Sequence, residues 1–212
     1  NQLKEKESLG GYRITENEAT ITADTIEKQQ LVYIALNKPT DYITSTTSSQ
    51  GKSIMELLTE NNFIGSVQPK IPPRVYPAGR LDKDSEGLVL LTNDGDLTEK
   101  ITHPKFEHKK VYQVWINKKL TQKDKEKLES GFQLEDRKKE QVQGIKVKNL
   151  KNDNKEQIVT VALKEGKYRQ IRRMFGQLGY KIKKLKRIRI SKLSLGLLPE
   201  SKWKFVEQSD II

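Results

Sequence analysis

The stretch Gly79-Arg80-Leu81-Asp82-Lys83-Asp84-Ser85-Glu86-Gly87-Leu88-Val89-Leu90-Leu91-Thr92-Asn93-Asp94-Gly95 decides how this chain is read. It places an Arg-x-Asp pair on a loop, then a glycine, a short apolar strand and an Asn-Asp-Gly turn. A carboxylate held beside a guanidinium stays ionised and keeps a fixed direction. One such carboxylate is enough for a mechanism that passes through a covalent adduct of a sugar or a base. Asp84, Asp94 and Asp96 compete with Asp82 for that part. Asp94-Gly95 reads as a turn, and Asp84 and Glu86 read as residues that cap or orient the loop. An Asp after Leu in a loop also serves simply to bond the next turn, so the setting must carry the argument.

That setting is basic. The 212 residues hold 40 Lys+Arg against 28 Asp+Glu, a formal net charge of +12. Such a field favours a polyanion, nucleic acid above all. The length suffices for one large domain or two small ones with a true core. There is no Cys, which excludes disulfides and thiolate metal sites and fits a cytoplasmic protein. No apolar run reaches the length of a membrane span. No signal-peptide pattern opens the chain, which begins at Asn1 and reads as a fragment.

Working outward, Leu31–Leu36 is a near-continuous apolar run and predicts a buried strand ending at Asn37-Lys38-Pro39. Ser53 to Asn61 predicts a helix, with Ser53 as cap and Glu56 three residues on. Residues 64–78 hold four prolines and read as a loop. Leu88–Thr92, Val111–Ile116 and Ile158–Leu163 predict strands, and 148–156 a hairpin tip. Thr121 to Ser130 predicts a helix capped by Thr121 and stopped by Gly131. Arg169 to Leu178 predicts another, with Ile171, Met174, Phe175 and Leu178 at core spacing. The irregular mixture of strands and helices argues for an α+β fold.

Two basic segments extend the nucleic-acid reading. In Lys164–Met174 a glycine turn feeds a helix whose first turns carry Arg169, Arg172 and Arg173. Helix N-termini attract phosphate, and arginines add charge-assisted donors. Arg172 and Arg173 are neighbours, about 100° apart on a helix, so they cannot face one site. Lys181–Ile190 carries six basic residues in ten, with apolar residues between them, a pattern suited to phosphate contacts. Tyr112, Tyr168 and Tyr180 are candidates to stack on an extruded base. Gln50-Gly51-Lys52-Ser53 ends like a phosphate-binding loop, but Thr46 stands where its first glycine belongs. His103 and His108, the only histidines, have no third ligand in evidence, so no metal site is expected.

Together these motifs resemble the RsuA-type branch of the pseudouridine synthases. The matching pieces are Leu36-Asn37-Lys38-Pro39; Tyr76 to Asp82 and on through Thr92-Asn93-Asp94-Gly95-Asp96-Leu97; His103-Pro104-Lys105 with Lys110-Val111-Tyr112; Glu165-Gly166 through Met174; and Leu185-Lys186-Arg187. They occur in the family's order over about residues 31–207. The resemblance implies a central, mainly antiparallel sheet in two subdomains flanked by helices, with a cleft between them. It implies isomerisation of a uridine in RNA to pseudouridine, with no cofactor and no metal. It makes Asp82 the catalytic carboxylate, attacking sugar or base. Tyr112 becomes the tyrosine that packs against the base, and Arg172 the basic residue paired with Asp82. Arg80 becomes the residue that fills the gap left by the flipped nucleotide. Leu81 and Ile171 are expected in the substrate pocket. Lys38, Lys167, Arg169, Arg173, Lys184, Lys186 and Arg187 are expected, with Arg80, to contact RNA. The base must leave the stack for this chemistry.

The chain departs from the family pattern at three places. Thr40-Asp41 follow Lys38-Pro39 where glycine is frequent, and Tyr168 stands where asparagine is common. Only about 30 residues precede the matching region, too few for the small RNA-binding domain that members usually carry there. The expected organisation is an arm or hairpin over residues 1–30 and a catalytic domain over 31–212. Ribosomal RNA is the expected partner of a cytoplasmic monomer. The alternatives are a tRNA target, or a non-catalytic RNA-binding or ribosome-assembly protein on the same fold.

Overall fold

The sheet begins with six buried residues in a row. β1 (Tyr33–Lys38) is buried along its whole length, including Asn37 and Lys38, so it starts and ends two residues beyond the apolar run. The structure is a computed structural model and describes residues 30–66, 74–135, 139–153 and 156–212. The arm expected over residues 1–30 lies, except for Gln30, outside the described residues. Leu31–Ile212 forms one compact unit. In chain order the remaining elements are β2 (Tyr76–Pro77), β3 (Glu86–Thr92), α1 (Gly95–Thr102), β4 (Lys110–Ile116), α2 (Gln122–Ser130), β5 (Gly131–Gln133), β6 (Gln141–Gln143), β7 (Lys146–Asp153), β8 (Glu156–Leu163), α3 (Gln170–Gln177), β9 (Ile182–Ile190), β10 (Leu193–Ser194) and β11 (Trp203–Phe205).

The main sheet runs β11-β1-β3-β9-β4-β8-β7, with β2 beside β3 and β10 beside β9; β5 and β6 pair separately. Every pairing of these strands is antiparallel except that between β3 and β9. That one is parallel and short, joining Glu86 to Lys186 and Gly87 to Arg187. The expected mainly antiparallel sheet in two parts is therefore present, and this joint is its seam. Gly87 makes the seam possible. Its φ is +107°, and a Cβ there would stand 2.2 Å from the Arg187 carbonyl oxygen. Only a residue without a side chain permits that approach.

Side-chain alternation along β1 and β3 sorts the apolar residues into two cores on opposite faces. Ile34, Leu36, Val89 and Leu91 join Leu128 of α2 and Ile171, Met174 and Phe175 of α3. Tyr33, Ala35, Leu88 and Leu90 join Leu97 and Ile101 of α1 and Leu193, Leu195, Leu198 and Ile211. Strands covered on both sides read as continuous apolar runs, which is why β1 and β3 are conspicuous in the sequence.

Three local expectations change. The helix over Ser53–Asn61 is a single 3-10 turn, Ile54–Leu57, closed by the capping box of Ser53 and Glu56. Leu58 at ψ 61° leaves the helical region, and a second 3-10 turn follows at Glu60–Asn62. Ile54 and Leu57 are buried in the core, whereas Met55 and Leu58 pack against it only in part, too little to hold a longer helix. Asp94-Gly95 opens α1 rather than making a plain turn. The Asp94 carboxylate accepts from Leu97 N at 2.9 Å and from the Tyr33 hydroxyl at 2.8 Å, and Leu97 and Ile101 fill the core four residues apart. In the proline-rich stretch Tyr76–Pro77 is a strand, and residues 67–73 lie outside those described. β7 and β8 pair out to Asp153 and Glu156, so strand continues into the expected tip. Among the described residues no helix is long and apolar enough to cross a membrane.

Candidate active site

The loop between β2 and β3 is held from beneath. Thr44 Oγ1 donates to the Leu81 carbonyl at 2.7 Å and accepts from Leu81 N at 3.1 Å. Ser85 N donates to the Asp82 carbonyl at 3.1 Å, closing a turn. Lys38, at the end of β1, fills the space below that turn. Its ammonium donates to the carbonyls of Ser85 at 2.6 Å, Pro39 at 2.8 Å and Lys83 at 3.3 Å. Burial pushes its pKa down to about 8 although the Asp84 carboxylate opposes the change. Lys38 was expected to contact RNA. It is fully buried, and its role is to brace the turn that carries Asp82.

Above the turn opens a cleft of about 760 Å³, walled by both parts of the sheet and by α3. That size falls among small-molecule sites, which span ~300–1,000 Å³. Arg80, Leu81, Asp82, Tyr112, Lys167, Arg169, Ile171, Arg172 and Arg187 all line it. The expected catalytic and pocket residues thus meet in one place. The Asp82 side chain is about one-third exposed, at 35%. No hydrogen bond reaches its carboxylate from the described residues, and Arg169 Nη1 stands 3.7 Å from Oδ2. Tyr112 is buried on β4 with Arg187 and Val161 as cross-strand neighbours.

The arginines divide otherwise than the sequence suggests. Arg172, expected on Asp82, donates from Nη2 to the Asp84 carbonyl at 2.8 Å and to Ser85 Oγ at 3.2 Å. Its Nε lies 3.3 Å from Asp84 Oδ2. Arg169 grips the Asp84 carboxylate with both nitrogens, at 3.0 and 2.8 Å, the strong bidentate geometry. These hydrogen bonds, with the Arg172 charge, hold the Asp84 carboxyl below its ordinary range against partial burial. Arg169 occupies the left-handed region at φ +46° as the N-cap of α3. Its helix start is fixed instead by Gln170, which donates to buried Glu165 at 2.6 Å and accepts from Lys167 N at 3.2 Å.

Other expected RNA contacts are scattered. Arg187 is only 3% exposed. It donates from Nε to the Leu88 carbonyl at 2.7 Å and from Nη1 to the Arg80 carbonyl at 3.2 Å, so it ties the seam rather than meeting solvent. Arg80 is exposed at the cleft mouth. Lys167 bonds the Gln141 carbonyl and lies 3.7 Å from both Glu140 and Glu165. Arg173 turns to Glu140 at 2.6 Å, outside the cleft, as its 100° offset from Arg172 requires. Lys184 and Lys186 alternate with cleft-lining Leu185 and Arg187 and so face the opposite side of the sheet. There they meet Glu86 at 2.9 and 3.6 Å.

Of the tyrosines, Tyr168 is 69% exposed at the cleft mouth, whereas Tyr180 is buried. The Tyr180 hydroxyl donates to Asp124 at 2.8 Å and accepts from Thr121 N at 3.1 Å, so it is a strut. His103 Nδ1 accepts from Lys105 N, and His108 meets Ser191 at 3.0 Å. Among the described residues no group of three or more His, Cys, Asp or Glu is placed to hold a metal. Sequence reasoning missed Asp84 as the hub of the arginines and Lys38 as a brace. The signal for Asp84 was its position two residues from Asp82 on one tight turn.

The family model for RNA pseudouridylate synthase matches residues 32–177. The chain belongs to that family. Its relatives place it in the RsuA-type branch. An uncharacterized RNA pseudouridine synthase of Aquifex aeolicus is 34% identical over 187 residues, 88% of this chain and 70% of that protein. Ribosomal large subunit pseudouridine synthase B of Bacillus subtilis is 35% identical over 188 residues, 87% of this chain and 72% of that protein. A solved pseudouridylate synthase superposes with a TM-score of 0.71 at 29% identity, covering 85% of this chain and 72% of that one. This synthase is accordingly an isomerase that converts uridine to pseudouridine in RNA.

Proposed function

We propose that this synthase modifies a uridine of ribosomal RNA and that Asp82 is its nucleophile. The carrying observation is the Asp82 carboxylate itself: open to the cleft, 3.7 Å from a guanidinium, and accepting no hydrogen bond from the described residues. A carboxylate so placed faces a positive charge without having its lone pairs occupied. The reaction breaks the bond from C1′ to N1 and forms one from C1′ to C5, with the C5 proton lost and N1 protonated. Asp82 serves as nucleophile whether it adds first to the sugar or to the base. Tyr112 supplies the apolar wall against which the freed base turns. Arg80, at the mouth, fills the gap in the RNA stack. The enzyme needs the base extruded, at a cost of a few kcal/mol that is least in single-stranded RNA. The similarity to a ribosomal large subunit synthase supports ribosomal RNA as the target. We assign catalysis to residues 31–212, acting as a cytoplasmic monomer without cofactor or metal.

The test is tritium release from RNA labelled at uridine C5, with ribosomal RNA and bulk tRNA assayed separately. Release from ribosomal RNA, abolished in Asp82→Asn while RNA binding persists, is the expected result. Release from tRNA alone moves the target. Wild-type release by Asp82→Asn removes Asp82 from the mechanism.

A further inference from the structure

We propose that the face of the sheet turned away from the cleft, across β9, β4, β8 and β7, is a second RNA-binding surface that holds a single-stranded stretch of RNA. The inference requires only that RNA is the substrate. It stands whether or not Asp82 is the nucleophile or ribosomal RNA the target. The pairing registers set its layout. Arg189, Val111, Ala162 and Lys146 stand in one row across the four strands, and Lys186, Gln113, Thr160 and Lys148 in the next. Lys184, Trp115 and Ile158 begin a third. Their neighbours along the strands, Leu185, Tyr112, Val161 and Val147, fill the core on the other face, so these rows point away from it.

Neither core reaches this face. Val111, Trp115, Ile158 and Ala162 are half-buried and belong to neither apolar cluster. An antiparallel sheet with one face in solvent ordinarily carries polar residues there. Here the two inner strands carry an apolar strip, and the two outer strands carry cations. β9 and β7 lie three strand spacings apart, so two basic rails run about 14 Å from one another. Trp115 closes one end of the strip. The Lys184 ammonium lies over its ring, 5.2 Å from the centroid, on a side chain 44% exposed.

The charge on this face is one-sided. Residues 110–116, 146–148, 157–163 and 182–190 include no acidic residue. Glu86, at the seam, takes Lys184 at 2.9 Å and Lys186 at 3.6 Å. Lys146, Lys148 and Arg189 are exposed, and among the described residues no ion pair engages them. Uncompensated cations beside a half-buried indole suit a strand that offers phosphates and bases together. An indole stacks on any base while the cations track the backbone. A base on Trp115 takes the place of the Lys184 ammonium, which turns to a phosphate. A protein partner is the poorer fit, because protein interfaces are depleted in lysine and this face presents Lys146, Lys148, Lys184 and Lys186.

The experiment uses the full chain and an oligocytidylate of about twelve nucleotides, which offers no uridine to the cleft. The chain has two tryptophans, and Trp203 is fully buried, so quenching of tryptophan fluorescence reports on Trp115. Oligocytidylate is expected to quench it, and poly-glutamate of equal charge is not. Affinity for labelled oligocytidylate, read by fluorescence anisotropy, is expected to weaken about fivefold or more in Trp115→Leu. It is expected to weaken about tenfold or more in Lys146→Glu with Lys148→Glu. Lys119→Glu with Lys123→Glu, which removes the same charge from exposed positions beside α2, is expected to change it less than about threefold. In tritium release from C5-labelled ribosomal RNA, Lys146→Glu with Lys148→Glu is expected to raise KM about fivefold or more. Absence of quenching, equal quenching by poly-glutamate, or equal weakening in the two double variants overturns the proposal. So do wild-type affinity and KM in Lys146→Glu with Lys148→Glu. If that variant does not fold, Lys146→Gln with Lys148→Gln decides, and wild-type affinity there overturns the proposal. A wild type that releases no tritium from ribosomal RNA removes the ribosomal target instead, and the oligocytidylate measurements still decide the surface.

Discussion

Lys38 ends a strand with a charge that has no access to water. Its folded pKa of about 8 lies below the ordinary 10.5, so between those values the unfolded chain binds this proton more tightly. The cost of burying the charge is present in full below pH 8 and is relieved as pH rises toward 10.5. Urea unfolding of the wild type and Lys38→Met, compared from about pH 7.5 to pH 10, should show the difference in stability rising by about 2–3 kcal/mol in favour of the wild type. Parallel curves would contradict this account of Lys38. At this scale the sequence was legible where one residue type and one local spacing settle the matter. Asp82, Leu81, Tyr112 and Ile171 were expected around one cleft and all line it. The partner of Asp82 was not legible, because whether Arg169 or Arg172 lies nearer depends on the left-handed turn at 169 and on competition from Asp84. Nor was the burial of Lys38, since three backbone carbonyls from two loops provide its site.

Among elements, the seam between β3 and β9 is the most exacting. Gly87→Ala puts a methyl group 2.2 Å from the Arg187 carbonyl and 2.7 Å from its nitrogen, at a φ of +107°. Neither strand can retreat without opening the cleft, so a loss of about 3 kcal/mol or more is expected in thermal or urea unfolding. Gly176→Ala is the contrasting case. It lies within α3, and a Cβ there meets nothing within 4 Å. A gain of about 0.5–1 kcal/mol is expected from helix propensity. Helix α3 was legible from its apolar spacing, and α2 from Thr121 and Gly131. Helix α1 was not, because eight residues with only Leu97 and Ile101 buried give a weak period. The Ser53 capping box was read correctly and its helix was not, because a cap starts a helix that only packing prolongs.

For the whole molecule, a net charge of +12 and a cleft mouth carrying Arg80, Lys167 and Arg169 call for binding that releases counterions. With roughly five phosphates engaged, log Kd against log salt should have a slope of magnitude about 3–4; a flat titration would remove the electrostatic account of RNA binding. The α+β class was legible from the mixture of elements, but the parallel joint was not, because a two-residue pairing leaves no periodic trace in either strand. That joint has a consequence in time. Glu86 pairs with Lys186, one hundred residues further along the chain, and Ile34 with Phe205. At about 5–20 residues per second, translation separates the two sides of the seam by about 5–20 s. Throughout that interval the turn bearing Asp82 has been made and its opposite wall has not. The growing chain is therefore chemically silent toward the RNA-rich machine that is making it, and becomes an enzyme only when its late strands arrive.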